Sequence, residues 1–421
     1  MTNLPNQDSL RTLGGPSWLA DRRARAIEAV LGEGLPGDDI EEWRYSRVEQ
    51  LDLDDYTVVL PDGSPAPTAP AGVAGVEVDH AVARVDLVDG RVASIEVDPT
   101  WSAKGLVVGR GTDLDVSPPD IATGRVRTHA FTDLARALAE PVVVEVPRGM
   151  VLDGPVVVRS HVGRAGALAA THLLVVAGSD SEVQVLETTT SADVASLLVG
   201  LVEVDAADGA KVSHQSVQLL GASTIAIAQH TARVSDAATH RLLHAALGGA
   251  RARQRIDVDL VGRGAHGDIS ALYLGGDHQV HDLRTFMTHD GPDTTSVIEC
   301  RGAVDDASHA IYTGLIRITG KGQGSDAEQA NRIVKLSGDA WAESVPNLEI
   351  EHNDVRCSHA SSVGPIDPDQ QFYLETRGVP TDVARRLVVA GFFEELLGRS
   401  ATPEVAKVVG DVVGSRLGGG S

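Results

Sequence analysis

Aromatic residues are scarce in this chain: Phe, Tyr and Trp make up 3% of its 421 residues. A core without large rings must be filled by small and β-branched side chains. Abundant valine and 44 glycines point to narrow, regularly stacked strands rather than a helix bundle. Cysteine is almost missing. Cys300 and Cys357 cannot build a disulfide framework, and a single bridge between them is the lesser reading. Positive charge is in deficit, 36 Lys and Arg against 59 Asp and Glu, for a net charge of -23. Such a surface repels phosphate backbones and anionic headgroups, which makes nucleic acid and membranes poor partners. No apolar run approaches membrane-spanning length, and the first residues lack the basic and apolar regions of a signal peptide. A cytoplasmic location is expected. What remains is a chain 42% apolar, ordinary for a globular protein and long enough for one large domain or a few smaller ones.

The chain divides into three parts: a helical N-terminal region with a linker over 1–75, a β core over 76–364, and a helical C-terminal region over 365–421. Ser17 is placed to cap a helix reaching Leu31, with Gly32 as its stop. An acidic and aromatic stretch, Glu41-Glu-Trp-Arg-Tyr45, follows. The Pro-, Ala- and Gly-rich residues 61–74 read as a linker. From Val76 the apolar pattern takes a period of two, with one helical interruption near Asp133–Ala139. Between 170 and 340 the connections are short and carry Gly or Asp, as in Gly178-Ser-Asp-Ser, Asp208-Gly209 and Gly275-Gly276-Asp277. They leave no room for the crossover helices of a doubly wound fold. The pattern favours a stacked β-solenoid, with an antiparallel sandwich as the alternative.

The last sixty residues turn helical. Asp367-Pro368-Asp369-Gln370 combines an N-cap, a first-turn proline and a reciprocal amide, and Gly378 ends that helix. Thr381 is placed to cap a second helix carrying Phe392, Phe393, Leu396 and Leu397. Thr402-Pro403-Glu404 opens a third, and the tail from Gly418 reads as flexible.

The segment from Pro346 to Asp367, with Asp354-Val-Arg-Cys-Ser-His359 at its centre, resembles the signature of the SufB/SufD family of iron–sulfur cluster assembly proteins. The continuation Asp369–Gly378, the stretches His289–Ser296 and Tyr312-Thr-Gly-Leu-Ile, and Gln329-Ala-Asn-Arg332 are similar to the same family. So is Glu41–Tyr45. Ser358-His359-Ala-Ser-Ser362 in place of the Glu-His-Glu-Ala-Thr of SufB, and the shorter chain, favour the SufD branch. The resemblance implies a right-handed parallel β-helix flanked by helical regions. It also implies a heterodimer with SufB, docking of the C-terminal helices onto the ATPase SufC, and no catalysis by this chain. A transient iron–sulfur cluster would form near the SufB interface, with none stably held by this chain alone.

Cys357 and His359 form a Cys-x-His pair that an extended segment points to one face, and thiolate and imidazole both suit iron. Two donors cannot close a four-coordinate site, so others must come from elsewhere, a partner included. The bland reading is a buried small thiol beside a solvated imidazole; the resemblance favours a metal-binding role for His359 and keeps Cys357 as a candidate. Cys300, within Val297-Ile-Glu-Cys300, reads as core. His278, His281 and His289 fit no compact metal motif and read as solvated strand edges. Gly320–Gly324 is only superficially similar to a phosphate loop, lacking its spacing. Phe392, Phe393, Leu396 and Leu397 serve equally well as internal packing or as a docking surface for SufC. Competing functions are a SufB-like paralogue, a β-helix enzyme acting on acidic polysaccharide, and an iron store. The acidic balance opposes the polysaccharide enzyme, and too few cysteines oppose the store. In isolation a homodimer is plausible, since related partners share interface geometry.

Overall fold

The computed structural model describes residues 3–37, 39–61, 67–68, 75–114 and 129–418. Most of the segment read as a linker, 61–74, and the tail beyond Gly418 lie outside the described residues. The N-terminal region holds α1 (Gln7–Arg11), α2 (Ser17–Glu33) and the short β1 (Thr57–Val58). Pro16, not Ser17, occupies the cap position of α2. The helix passes through Gly32 and stops at Gly34, whose φ of 76° a side chain would resist. Next come β2 (Ala83–Val88), β3 (Arg91–Val97), α3 (Pro99–Ser102), β4 (Val107–Arg110) and α4 (Ala130–Leu138).

The strands of the core then follow almost without interruption. They are β5 (Val142–Val146), β6 (Val156–Val162), β7 (Ala167–Ala177), β8 (Glu182–Ser191), β9 (Ser196–Ala206) and β10 (Lys211–Leu219). They continue as β11 (Thr224–Val234), β12 (Thr239–Ala246), β13 (Arg251–Leu260), β14 (His266–Gly275) and β15 (Val280–His289). The series ends with β16 (Thr295–Val304), β17 (His309–Ile318), β18 (Asp326–Lys335), β19 (Trp341–Ile350) and β20 (Arg356–Pro365). Helices α5 (Pro368–Thr376), α6 (Thr381–Ser400) and α7 (Pro403–Gly418) close the chain.

Odd-numbered core strands lie in one sheet and even-numbered ones in the other, each strand pairing with the one two places away. From β5 and β6 onward every pairing is parallel, which excludes the antiparallel sandwich. The result is a β-solenoid of about eight turns. The turns differ in length: paired Ile225 and Arg251 are 26 residues apart, and paired His309 and Trp341 are 32 apart. The corners absorb the difference, so the sequence shows no strict repeat. Asp180, Asp277, Asp293 and Asp306 take positive φ at these corners. At Gly262 a Cβ would sit 2.0 Å from the Asp236 nitrogen of the turn beneath, so only glycine fits.

Three layers of apolar packing result. Inside, Val144, Val175, Val204, Ala232, Val258 and Met287 stack from one turn to the next. The outer face of the odd sheet is covered by α2 and α4, where Ile27, Val30, Phe131 and Leu134 meet Leu168, Leu197 and Val199. The outer face of the even sheet is covered by α6 and α7, where Phe393, Leu397, Val405 and Val409 meet Val217, Leu243 and Leu272. Strands buried on both faces read as near-continuous apolar runs. Among the described residues no helix is long and apolar enough to cross a membrane.

Charged anchors fix the N-terminal cover. Glu203 is fully buried and accepts from Arg136 Nη2 at 2.8 Å, from His172 Nε2 at 2.6 Å and from Arg22. Burial would raise its pKa, but the hydrogen bond from His172 and the charges of Arg22 and Arg136 overrule it and hold the carboxyl ionised. The stretch around Trp43 is a second clamp: Arg253 stacks 3.8 Å from the Trp43 ring centre and, with Arg255, donates to Glu42. Ser46 Oγ donates to Asp282 at 2.6 Å.

Two of the three histidines read as solvated edges are not at the surface. His278 is exposed, but His281 and His289 point into the closed interior. His289 bonds Thr294 and Ser296, and His281 stacks on Tyr273. Further up the same interior His230 and His240 face each other, Nε2 to Nε2 at 2.9 Å, as complementary neutral tautomers. Burial pushes the pKa of His240 and His281 down to about 3 and of His244 and His289 to about 4.

Two outcomes are expected. Replacing Glu203 by Ala leaves buried His172 without its acceptor and Arg136 with only Asp133, 3.6 Å away, and should cost about 3 kcal/mol in denaturant unfolding; a loss near zero would refute the clamp. The unfolded histidines take up protons near 6.5, whereas the buried ones do so only at about 3 to 4. The unfolded state therefore binds more protons in that window, and stability falls as pH falls through it. The melting temperature should drop steadily from pH 7 to pH 5, with a shallower slope in His240→Gln.

Candidate functional site

The two ends of the solenoid differ. At the N-terminal end β3 pairs antiparallel with β2, and β4 antiparallel with β5, so both sheets finish under a reversed strand. At the C-terminal end β19 and β20 are the last strands of their sheets, and among the described residues no strand lies beyond them. Trp341, Val345, Ile350 and Val363 are exposed there.

Cys357 and His359 both lie on β20. Cys357 pairs in register with Ala327, His359 with Gln329, and Ser361 with Asn331. In β18 those three partners are buried, because β20 covers them. The corresponding row of β20 has no such cover: Cys357 is half-buried against the interior core, while His359 and Ser361 are exposed. The two candidates thus form part of the next rung of the interior, laid open. Beneath His359, Gln329 Nε2 donates to the Tyr312 hydroxyl at 3.0 Å, and that hydroxyl bonds Thr285 at 2.9 Å. Beside it, Asn331 Nδ2 donates to Ser344 Oγ at 2.8 Å, which in turn bonds Ser361 Oγ at 2.7 Å. Gln329 Oε1 and Asn331 Oδ1 are buried with no hydrogen-bond partner among the described residues. Both are acceptors directly below the open rung.

The two thiols differ in kind. Cys300 is fully buried, and burial pushes its pKa up to about 12, so it is core. Cys357 is raised less, by partial burial and then by the negative charge of Asp326. At neutral pH it is a thiol that metal binding would have to deprotonate. Among the described residues no group of three His, Cys, Asp or Glu side chains is placed to hold a metal ion. Cys357 and His359 by themselves are therefore too few to hold a metal ion.

The SUF system FeS cluster assembly SufBD core domain model matches residues 160–392, more than half of the chain. The chain belongs to the SufBD core family. An iron–sulfur cluster assembly SufBD family protein of Mycobacterium tuberculosis is 38% identical over 191 residues. That match takes in 44% of this chain and 48% of the relative, so the chain matches about half of that protein's length. A SufBD family protein of Mycobacterium leprae is 31% identical over 68% of this chain and 73% of its own. The iron–sulfur cluster assembly protein SufD of Escherichia coli is 26% identical over 403 residues, 94% of this chain and 92% of that one.

In this SufBD-family chain the four hydrophobic residues read as docking candidates are mostly spoken for. Phe393, Leu396 and Leu397 are buried against the even sheet and α7. Phe392 is half-buried beneath Arg301, which also donates to its carbonyl oxygen. The apolar surface left free on these helices is different: Phe372 is 66% exposed, Tyr373 56% and Leu387 51%. Tyr373 and Leu387 line a groove of about 810 Å³ between α5, α6 and the end of β20. Consecutive aromatics in a chain poor in them were the available signal for Phe372 and Tyr373. Helix α5 has no buried residue.

Replacing Asp326 by Asn removes the charge that holds the Cys357 thiol up, so alkylation by iodoacetamide at pH 8 should become faster. Cys300 should stay unreactive until the chain unfolds. Equal rates in the two proteins would remove Asp326 from the account.

Proposed function

We propose that this chain is a non-catalytic scaffold of the SUF machinery, acting in the cytoplasm as the SufD-type partner of SufB. The observation that carries the reading is the uncovered last turn. A related solenoid set against β19 and β20 would cover their exposed apolar side chains and supply the donors that Cys357 and His359 lack. The cluster is cargo in this reading, assembled at the junction and passed on, and His359 is the residue of this chain that helps to hold it and to acquire iron. The alignment with SufD of Escherichia coli over nearly the whole chain supports the SufD-type assignment. Docking of the ATPase SufC falls to the free surface around Phe372, Tyr373 and Leu387, with Phe392 at its margin. ATP hydrolysis belongs to that partner.

The test is co-expression with SufB and SufC, followed by pull-down and anaerobic iron and sulfide analysis. The intact chain should recover both partners with bound cluster. His359→Ala should recover both partners with the cluster lost, and Phe372→Asp with Tyr373→Asp should lose SufC while keeping SufB. An intact chain that recovers neither partner would refute the scaffold. Cluster retained by His359→Ala would return that histidine to an ordinary surface role.

A further inference from the structure

A pocket at the start of β19 differs in chemistry from the rest of the surface. It is lined by Arg44, Tyr45, Arg47, His309, Ile311 and Trp341 and encloses about 330 Å³, within the range of small-ligand sites. Its lining contains two guanidinium groups and no carboxylate, in a chain where acids outnumber bases 59 to 36. Among the described residues neither arginine has a carboxylate at ion-pair distance; Arg47 instead donates to His309 Nδ1 at 2.9 Å. Accepting at Nδ1 leaves His309 neutral with its proton on Nε2, a further donor. Burial and the neighbouring Arg47 charge push its pKa down, which keeps it in that form. Guanidinium donors with no carboxylate beside them select an anion.

The remaining walls are rings. The Trp341 ring centre lies 5.9 Å from that of Tyr45 and 5.5 Å from that of His309, and both Tyr45 and Trp341 keep exposed faces. The loop that carries the arginines is held in advance. Trp43 is pinned by Arg253, Ser46 by Asp282, and the Arg47 carbonyl by Arg251 Nη1 at 2.8 Å. Arg47 itself is fixed in the left-handed region at φ 53°, a conformation a non-glycine residue keeps only when its surroundings impose it. A pocket so fixed loses little entropy on binding.

We propose that this pocket binds a nucleoside monophosphate, the base stacked on Trp341 and Tyr45 and the phosphate held by Arg44 and Arg47. The rings distinguish this ligand from a simple anion, and the acidic surface excludes a longer polynucleotide. The pocket is separate from the row of Cys357 and His359 but shares Trp341 with the open end of β19, so the titration is made on the chain alone, without a partner over that end.

The experiment is calorimetric titration of the full chain with adenosine monophosphate and uridine monophosphate, with adenosine and inorganic phosphate as fragments. At least one monophosphate should saturate a single site. Arg44→Gln and Trp341→Leu should each weaken it about tenfold, with melting temperature unchanged. Each fragment alone should bind more weakly by a similar factor. No saturable binding of either monophosphate, or binding unchanged in both variants, would overturn the proposal. Phosphate binding as tightly as the monophosphates would mark an adventitious ion only, and overturn it equally.

Discussion

Everything in this molecule depends on each turn being covered by the next. A parallel strand cannot satisfy its own backbone, and a turn of this solenoid has too little interior to be stable alone. The register between neighbours is kept without a slip from β5 to β20, although the turns themselves vary in length. Variation is confined to corners, where glycine and left-handed aspartate let the chain bend without disturbing the stack. The same rule explains both ends. Reversed strands satisfy it at β2 and β5, and at β20 it is left unsatisfied.

The candidate site follows from that failure. Gln329 and Asn331 are buried where Cys357, His359 and Ser361 are open, though the two rows are related by one turn. Nothing in the local chemistry of Cys-x-His makes it a site, since the same spacing one turn lower would be core. Position at the end of the stack makes the difference.

Much of this was legible in the sequence, and the misses share a cause. Valine and glycine in place of aromatics, with short Asp and Gly corners, indicated stacked strands, and Asp367-Pro368 marked a helix start that the structure places there. What could not be read locally was cover supplied from far along the chain. In β15, Asp282 and Arg284 look like residues of a solvated strand, yet Ser46 and Trp43, more than two hundred positions earlier, lie over that face. His281 and His289, on the other face of β15, are enclosed by the even sheet, where they meet Tyr273 and Ser296. Phe393, Leu396 and Leu397 were ambiguous for the same reason: their amphipathic pattern names an apolar face but not what meets it. The pattern favoured the parallel stack, and the register excludes the antiparallel alternative.

The stack also fixes a length. Neighbouring parallel strands are about 4.8 Å apart, so the stack sets the reversed strands at one end roughly 40 Å from the open rung at the other. Because the turns are pinned in register, that span cannot stretch or shorten without losing whole rungs. The chain is thus a ruler, graduated in turns, and an insertion in a corner would widen it while leaving the distance between its ends unchanged.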